Sequence, residues 1–397
     1  MKHGEMSKVV PFARSRRVPD PARVAEFAAM ARRLQREREE SADVVTRVLR
    51  ETPREEWKGL AARPDLVSSG VLDRLATLAD ELERDPREGL AIAELATSIA
   101  DQLPLDSYPR IVVAQLRAHA WKDRARALCY LARYDEAMSA LEQAEAALGP
   151  VGTLAHDQAI IDFVRSIVLQ HLRRYDDAAA LLAECRKVFS DHGDERMYRK
   201  CTVAAGNLLI RRGDHRAARE VFTSLVRDAD PDCIARARFA LGWCAIHLGM
   251  PEEALEHFKD AERRNRQLGA IVEAIRASYG AGSALLHLGR LDEAMEQLAF
   301  AREAFLSHSF IEEAGLSALE MVEVYILRDE TDAARTLAAT IVREFTEAGL
   351  NRRALTALAY LNDAIAASNA TPETVRNVHA YITELRRNPT AELAMPN

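Results

Sequence analysis

The amino-acid sequence predicts an all-α chain built as a solenoid of stacked helix-turn-helix repeats. Three observations predict it. The stretch ALGWCAIHLGMPEEALEHFKDAERR (240–264) returns as GAGSALLHLGRLDEAMEQLAFAREA (280–304), an offset of 40 (280 − 240). The copies share Gly242/Gly282, His247/His287, Leu248/Leu288, Gly249/Gly289, Glu253/Glu293, Ala254/Ala294, Glu256/Glu296 and Ala261/Ala301. Each copy carries apolar residues at helical spacing, a break at Leu-Gly, and a second amphipathic run opened by Glu-Ala. No sustained Val/Ile/Thr alternation points to a sheet, and 14 prolines leave long strings of Ala, Leu, Glu and Arg intact. Small residues at Gly242, Ala254, Gly282 and Ala294 let the two helices of a copy approach closely. Such a pair cannot bury its apolar face alone, so it stacks on its neighbours.

The elements follow in order. Residues 1–20 read as a flexible basic tail, and Pro21 sits at the first position of a helix running to about Arg50. Its middle, ARRLQREREE, is charged all round, whereas Val44, Val45, Val48 and Leu49 restore an apolar stripe. Ser41 can cap a second helix there, so one bent helix and two short ones both fit. The compact three-helix pattern of a helix-turn-helix is absent. A connector with Trp57 completes an N-terminal helical extension over 21–68. VLDRLATLADEL and REGLAIAELATSIADQL, split at Asp85-Pro86, form a first irregular pair. Six further repeats start near 118, 159, 199, 235, 275 and 315, closing a superhelix over 69–349. Their steps of 41, 40, 36, 40 and 40 residues are expected to come from long second helices, each ending in a small loop such as DHGDE (191–195), QLGA (267–270) or EAGL (347–350). ALAYLNDAIAAS and TPETVRNVHAYITELRR supply capping helices over 350–388, and 389–397 is a tail.

AWKDRARALCYLARYDEAMSALEQAEAAL places Trp121, Ala125, Leu128, Tyr134, Ala137, Leu141 and Ala144 at one set of phases. The set recurs as Ser166/Tyr175/Ala178/Leu182, Gly206/Gly213/Ala218/Phe222/Pro231, Gly242/Ala254/Phe258/Ala261 and Gly282/Ala294/Leu298/Ala301, and fades at Val322/Ala334/Ala338. In this the chain resembles the tetratricopeptide repeat family over about 70–350, in the longer-period form found in bacterial regulatory proteins and motor-cargo adaptors. The resemblance implies a right-handed α-solenoid, with first helices lining a concave face.

Composition narrows the function. Hydrophobic residues at 48% and charged residues at 29% describe a globular chain. The net charge of −7 divides into +4 over residues 1–66 (15 Lys/Arg, 11 Asp/Glu) and −11 over the remainder (−7 − 4). An acidic body disfavours a general nucleic-acid binder. Five scattered cysteines without a C-x-x-C pair read as small apolar residues of a reducing compartment. With no 18-residue apolar run and no signal-peptide core, a cytoplasmic, membrane-free protein is expected.

No constellation with a catalytic mechanism is visible, and neither cofactor nor metal is expected. No P-loop, G-x-S-x-G or H-E-x-x-H occurs. Gly280-Ala281-Gly282-Ser283 falls mid-helix, where packing explains it. SDHGDER (190–196) gathers His192, Asp191, Asp194 and Glu195, but reads as a helix stop at Gly193 and a start at Asp194. His171, His247 and His287 share one phase without a neighbouring base or nucleophile.

Function is therefore expected on the concave face. The resemblance implies that positions 2, 5, 9, 12 and 13 of each repeat line it. These include Lys122, Arg126 and Tyr130; Phe163 and His171; Lys200, Asn207 and Arg211; Arg236, Phe239, Trp243 and His247; Arg276, Tyr279 and His287. Six Lys/Arg against one acid, Glu323, beside five aromatics, suit a protein or peptide that is acidic with an apolar anchor. A carboxylate clamp for a peptide C-terminus is disfavoured, because Asn207 is the one Asn in the set. The first expectation is a non-enzymatic scaffold, and the second is a ligand-responsive regulatory sensor acting on an effector. A weaker third is a nucleic-acid adaptor using the basic tail. In the sensor, the polar helix from Pro21 would await a partner. The oligomeric state is left open.

Overall fold

The computed structural model describes residues 21–81, 86–152, 154–228, 230–385 and 391. The basic tail at 1–20, and the C-terminal tail apart from Ala391, lie outside them. The described residues form seventeen α-helices and three short 3-10 segments, with no strand among them. Two compact bodies divide at Leu154 and Ala155.

In the first body, α1 (Pro21–Glu51) is one continuous helix, and Ser41 is buried within it instead of capping a second. A 3-10 segment at Arg54–Ala62 carries the buried Trp57 to α2 (Ser69–Glu81). Then come α3 (Pro86–Asp101), α4 (Arg110–Tyr130) and α5 (Tyr134–Leu148). Val45 and Val48 of α1 share a core with Trp57, Leu66, Leu72, Leu75, Ile92 and Ile99. The charged middle of α1 is already engaged. Glu37 accepts hydrogen bonds from Ser69 Oγ (2.6 Å), Tyr108 Oη (2.7 Å) and Arg33 Nε (2.9 Å). Burial works to raise the Glu37 carboxyl, but these bonds outweigh it and hold the group below the usual carboxylate range. A Cβ at Gly70 would fall 2.1 Å from the Glu37 carbonyl oxygen, so α1 and α2 meet backbone to backbone.

The second body continues with α6 (Ala155–His171), α7 (Tyr175–Asp191), α8 (Glu195–Arg211) and α9 (His215–Leu225). Next are α10 (Pro231–His247), α11 (Pro251–Gln267), α12 (Ile271–His287) and α13 (Leu291–Ser307). It closes with α14 (Ile311–Leu327), α15 (Thr331–Glu347), α16 (Arg352–Ala366) and α17 (Pro372–Leu385). The length that carries the repeat to 40 residues is shared by both helices. First and second helices of a full repeat both have 17 residues, and the one 36-residue step (235 − 199) falls where α9 has 11. First helices approach one another across repeats (α6 with α8, α8 with α10, α10 with α12, α12 with α14), and second helices do so less. The first helices therefore form the inner layer and the second helices the outer one.

Packing within a repeat follows a rule of complementary size. Residues 16 apart (258 − 242) face each other at the helix crossing as Ser166/Leu182, Gly206/Phe222, Gly242/Phe258, Gly282/Leu298 and Val322/Ala338, all of them buried. Ala125/Leu141 repeats the rule in the first body. Where the inner residue is small the outer one is large, as interiors packed to crystal-like density require.

The helix-to-helix turns are also shared. Gly249 (φ 72°) closes α10, with Met250 N–H donating to Ala245 O at 2.9 Å. Ser309 occupies the same kind of turn after α13 at φ 62°, a left-handed conformation that costs an L-residue roughly 1–2 kcal/mol. Its side chain is exposed. Ser309→Gly is therefore expected to stabilise the chain by about 0.5–1 kcal/mol after the entropic cost of glycine. A denaturant midpoint that stays put or falls would contradict this.

Candidate functional site

The inner face of the second body holds an aromatic tier. Phe258 of α11 is fully buried between α10 and α12, where Gly242 and Gly280 leave room for its ring. Trp243 packs edge-on to it at 5.2 Å and Phe239 at 5.8 Å, with Tyr279 of α12 5.9 Å from Trp243. Phe239, Trp243 and Tyr279 are half-buried, so the tier rests on the core and keeps part of its surface open. The glycines in GAGS (280–283) serve this packing.

Around the tier the expected cations are largely neutralised. Arg236 pairs with Asp232 at 2.8 Å, one turn earlier on α10. Arg276 lies 3.6 Å from Glu273 and 3.5 Å from Glu313, with its guanidinium 5.8 Å from the centre of the Phe310 ring. On α8, Lys200 and Asn207 are exposed and Arg211 is half-exposed. His247 stacks on His215 at 4.2 Å, and burial, partly opposed by Asp214, lowers the His215 pKa. His287 Nδ1 lies 2.9 Å from Ser283 O at the end of α12. Phe163 packs half-buried on the α7 cluster, and His171 ends α6. Lys122, Arg126 and Tyr130 belong to the first body. There the two cations lie 2.7 and 3.4 Å from the buried Asp123, and Tyr130 is 53% exposed. The structure thus gathers Phe239, Trp243 and Tyr279, and sets acids beside Arg236 and Arg276.

A second cluster escaped the sequence reading. Helix α17 packs on α14 and α16. His379 Nε2 lies 2.9 Å from Tyr279 Oη, which donates to Glu320 Oε1 at 2.8 Å. Tyrosine has one hydroxyl proton, so with that proton given to Glu320 it accepts from the His379 Nε2–H. Arg376 Nε is 3.5 Å from Glu323, and Glu384 is 3.6 Å from Arg173 in the turn after α6. Burial pushes the Glu320 carboxyl up to about 8, against the opposing hydrogen bond from Tyr279, and its Oε2 has no hydrogen-bond partner among the described residues. Burial also pulls His379 down to about 4. Near neutral pH burial thus favours the uncharged form of both groups. The signal was present in SALEMVEVYIL, where two acids interrupt an otherwise apolar run.

The 190–196 turn is built as a cap. Asp194 accepts from Met197 N–H at 3.0 Å, Gly193 has φ 70°, and His192 Nδ1 meets Val188 O at 2.8 Å. No group of three His, Cys, Asp or Glu is placed to hold a metal among the described residues. All five cysteines are buried as free thiols. No described helix is long and apolar enough to cross a membrane.

Residues 203–269 and 251–304 match the signature of the family described as tetratricopeptide repeat. These residues are tetratricopeptide repeats. The same alternation of inner and outer helices extends beyond them, from α6 to α16. No curated protein matches the chain in sequence. Among solved structures, the apo form of the quorum sensor NprR from B. thuringiensis has a TM-score of 0.58 at 12% identity, covering 90% of this chain and 99% of that one. Aspartyl phosphate phosphatase F from Bacillus subtilis gives 0.52 at 11%, covering 87% and 96%. The Rap conjugation gene regulator of plasmid pLS20, in complex with the Phr* peptide, gives 0.50 at 13%, covering 87% and 97%. At these identities the tetratricopeptide likeness is one of fold.

Proposed function

We propose that this chain is a non-enzymatic peptide-responsive regulator, binding a protein or peptide segment on the inner face of its second body. The observation that carries the reading is the half-open tier of Phe239, Trp243 and Tyr279 on adjoining first helices. Rigid aromatics that rest on a packed core and keep one exposed edge suit an apolar anchor at little entropic cost. Lys200, Asn207 and Arg211 on the adjacent α8 supply polar recognition beside it. An acidic residue in the partner would meet the cationic side chains that α8 presents. The fold is shared by a quorum sensor and by a regulator seen with a peptide, which favours a regulatory over a purely structural role. It is also shared by a phosphatase. The cluster that joins Glu320, Tyr279 and His379 lies where α17 packs on α12 and α14, and we read it as a packing contact.

Panning a random-peptide library on the full chain tests the reading. Recovered peptides are expected to perturb Trp243 fluorescence, the other tryptophans, Trp57 and Trp121, lying in the first body. Binding should weaken at least about tenfold in Lys200→Glu/Asn207→Ala/Arg211→Glu, a loss of about 1.4 kcal/mol. Equal binding by a folded triple variant would remove the function from this face.

A further inference from the structure

The last helix does not sit where the repeat would put it. Each second helix before it lies in the outer layer, between its own first helix and the next: α11 on α10 and α12, α13 on α12 and α14, α15 on α14 and α16. Helix α17 packs on α16 and then on α14, both first helices, so it lies on the inner face. From there it reaches α12 through His379 and Tyr279, and the turn after α6 through Glu384 and Arg173. Fourteen residues of helix span about 21 Å, enough to cross that face.

The contacts are those of a bound amphipathic helix. Val375, Val378, Ile382 and Leu385 recur at i, i+3, i+7 and i+10 and are buried against Leu319, Val322 and their neighbours. One cation, Arg376, meets an acid at the rim, and one acid, Glu384, meets a cation. The fit also has a cost that an outer helix does not bear. Docking buries His379 and the Glu320 carboxyl, two groups that water would solvate well if α17 left. A single connection through residues 367–371 leaves α17 free to depart without unthreading a repeat.

We propose that α17 occupies a helix-binding site as an internal ligand. A partner helix with the same face, apolar at the places of Val375, Val378, Ile382 and Leu385 and cationic at that of Arg376, displaces it. For the partner this rests on the peptide-binding reading above, whereas release of α17 is measurable without one.

Hydrogen exchange on the intact chain comes first. Amides of α17 are expected to exchange at least about tenfold faster than those of α14 and α16, because α17 opens without them. Equal protection would make α17 a fixed part of the core and overturn the proposal. A labelled peptide of residues 370–387 is then titrated onto wild type and Val378→Asp/Ile382→Asp, with circular dichroism as the folding check. The variant should bind it at least about tenfold more tightly than wild type, and an Arg376→Glu peptide should lose about as much. If the double variant does not fold, Arg376→Glu/Glu384→Arg, which alters exposed rim charges alone, replaces it with the same expectations. A folded variant that ignores the peptide overturns the proposal. Library peptides still captured beside Trp243 in that case would leave the binding function standing.

Discussion

Gly242→Val is expected to destabilise the second body by about 3 kcal/mol or more, and Phe258→Ala by about 3–5 kcal/mol. The two together should cost far less than their sum. A Cβ at position 242 would lie 2.6 Å from the Phe258 ring. The ring cannot retreat, because a Cβ at Gly280 on the next first helix would come within 2.4 Å of the same atom. Valine at 242 thus forces either the ring or the helix to move, and removing the ring alone leaves a void. The double variant recreates a pair the chain already uses, since Val322 faces Ala338 at the same phase with both buried. A double-mutant cycle by urea unfolding should give a coupling of about 2 kcal/mol in favour of the double variant. Additive losses would show that the size rule is not what holds the repeat together.

That rule explains why so much of the fold was readable. The sequence states each helix break directly, as Leu-Gly at 248–249 and 288–289, and the small/large pairs recur at one phase in every repeat. Other features depend on what the chain meets in space. The loop at Gly269 marks the end of α11 in the sequence, whereas the equal length of α10 and α11 shows in the fold. The polar first turns of the inner helices hid their starts, so a repeat placed at 159 begins at Ala155. One α1 was indistinguishable from two because its charged middle finds its partners, Ser69 and Tyr108, far along the chain.

The candidate site was legible in its aromatics and illegible in its charges. Phe239, Trp243 and Tyr279 come together because helical phase sets them on facing sides of α10 and α12. The partner of Arg236 is four residues away and could be read, but Glu313 approaches Arg276 from another helix. Counting cations along a face overestimates its field when acids on neighbouring helices go uncounted. The position of α17 was hidden for a similar reason. Its period shows which side is apolar, and says nothing of which layer that side will cover.

Raising the pH from about 6.5 to about 8 is expected to lower the stability of the second body by about 2 kcal/mol, and Glu320→Gln should remove most of that loss. The carboxyl of Glu320 in the fold is raised by burial to about 8 from 4.5. Between those values the folded state holds a proton that the unfolded chain has released, so stability falls as the pH rises. His379 acts in the opposite sense, because burial lowers it to about 4 from 6.5. In that lower window the unfolded chain binds the extra proton, and stability falls on acidification. Below pH 6.5 the two slopes oppose each other, and above it Glu320 acts without His379. The groups that face the pair are Tyr279 on α12, Glu323 on α14 and Arg376 on α17. Glu323 is also raised by burial, against the pull of Arg376, and so keeps a small slope of the same sign in the Glu320→Gln chain. Urea midpoints across this range give the measurement. A wild-type profile as flat as that of Glu320→Gln would mean that the carboxyl is ionised in the fold. Stability independent of pH over this window also excludes a charged His379 paired with it, because such a pair would be lost as the pH rose through the histidine's raised pKa.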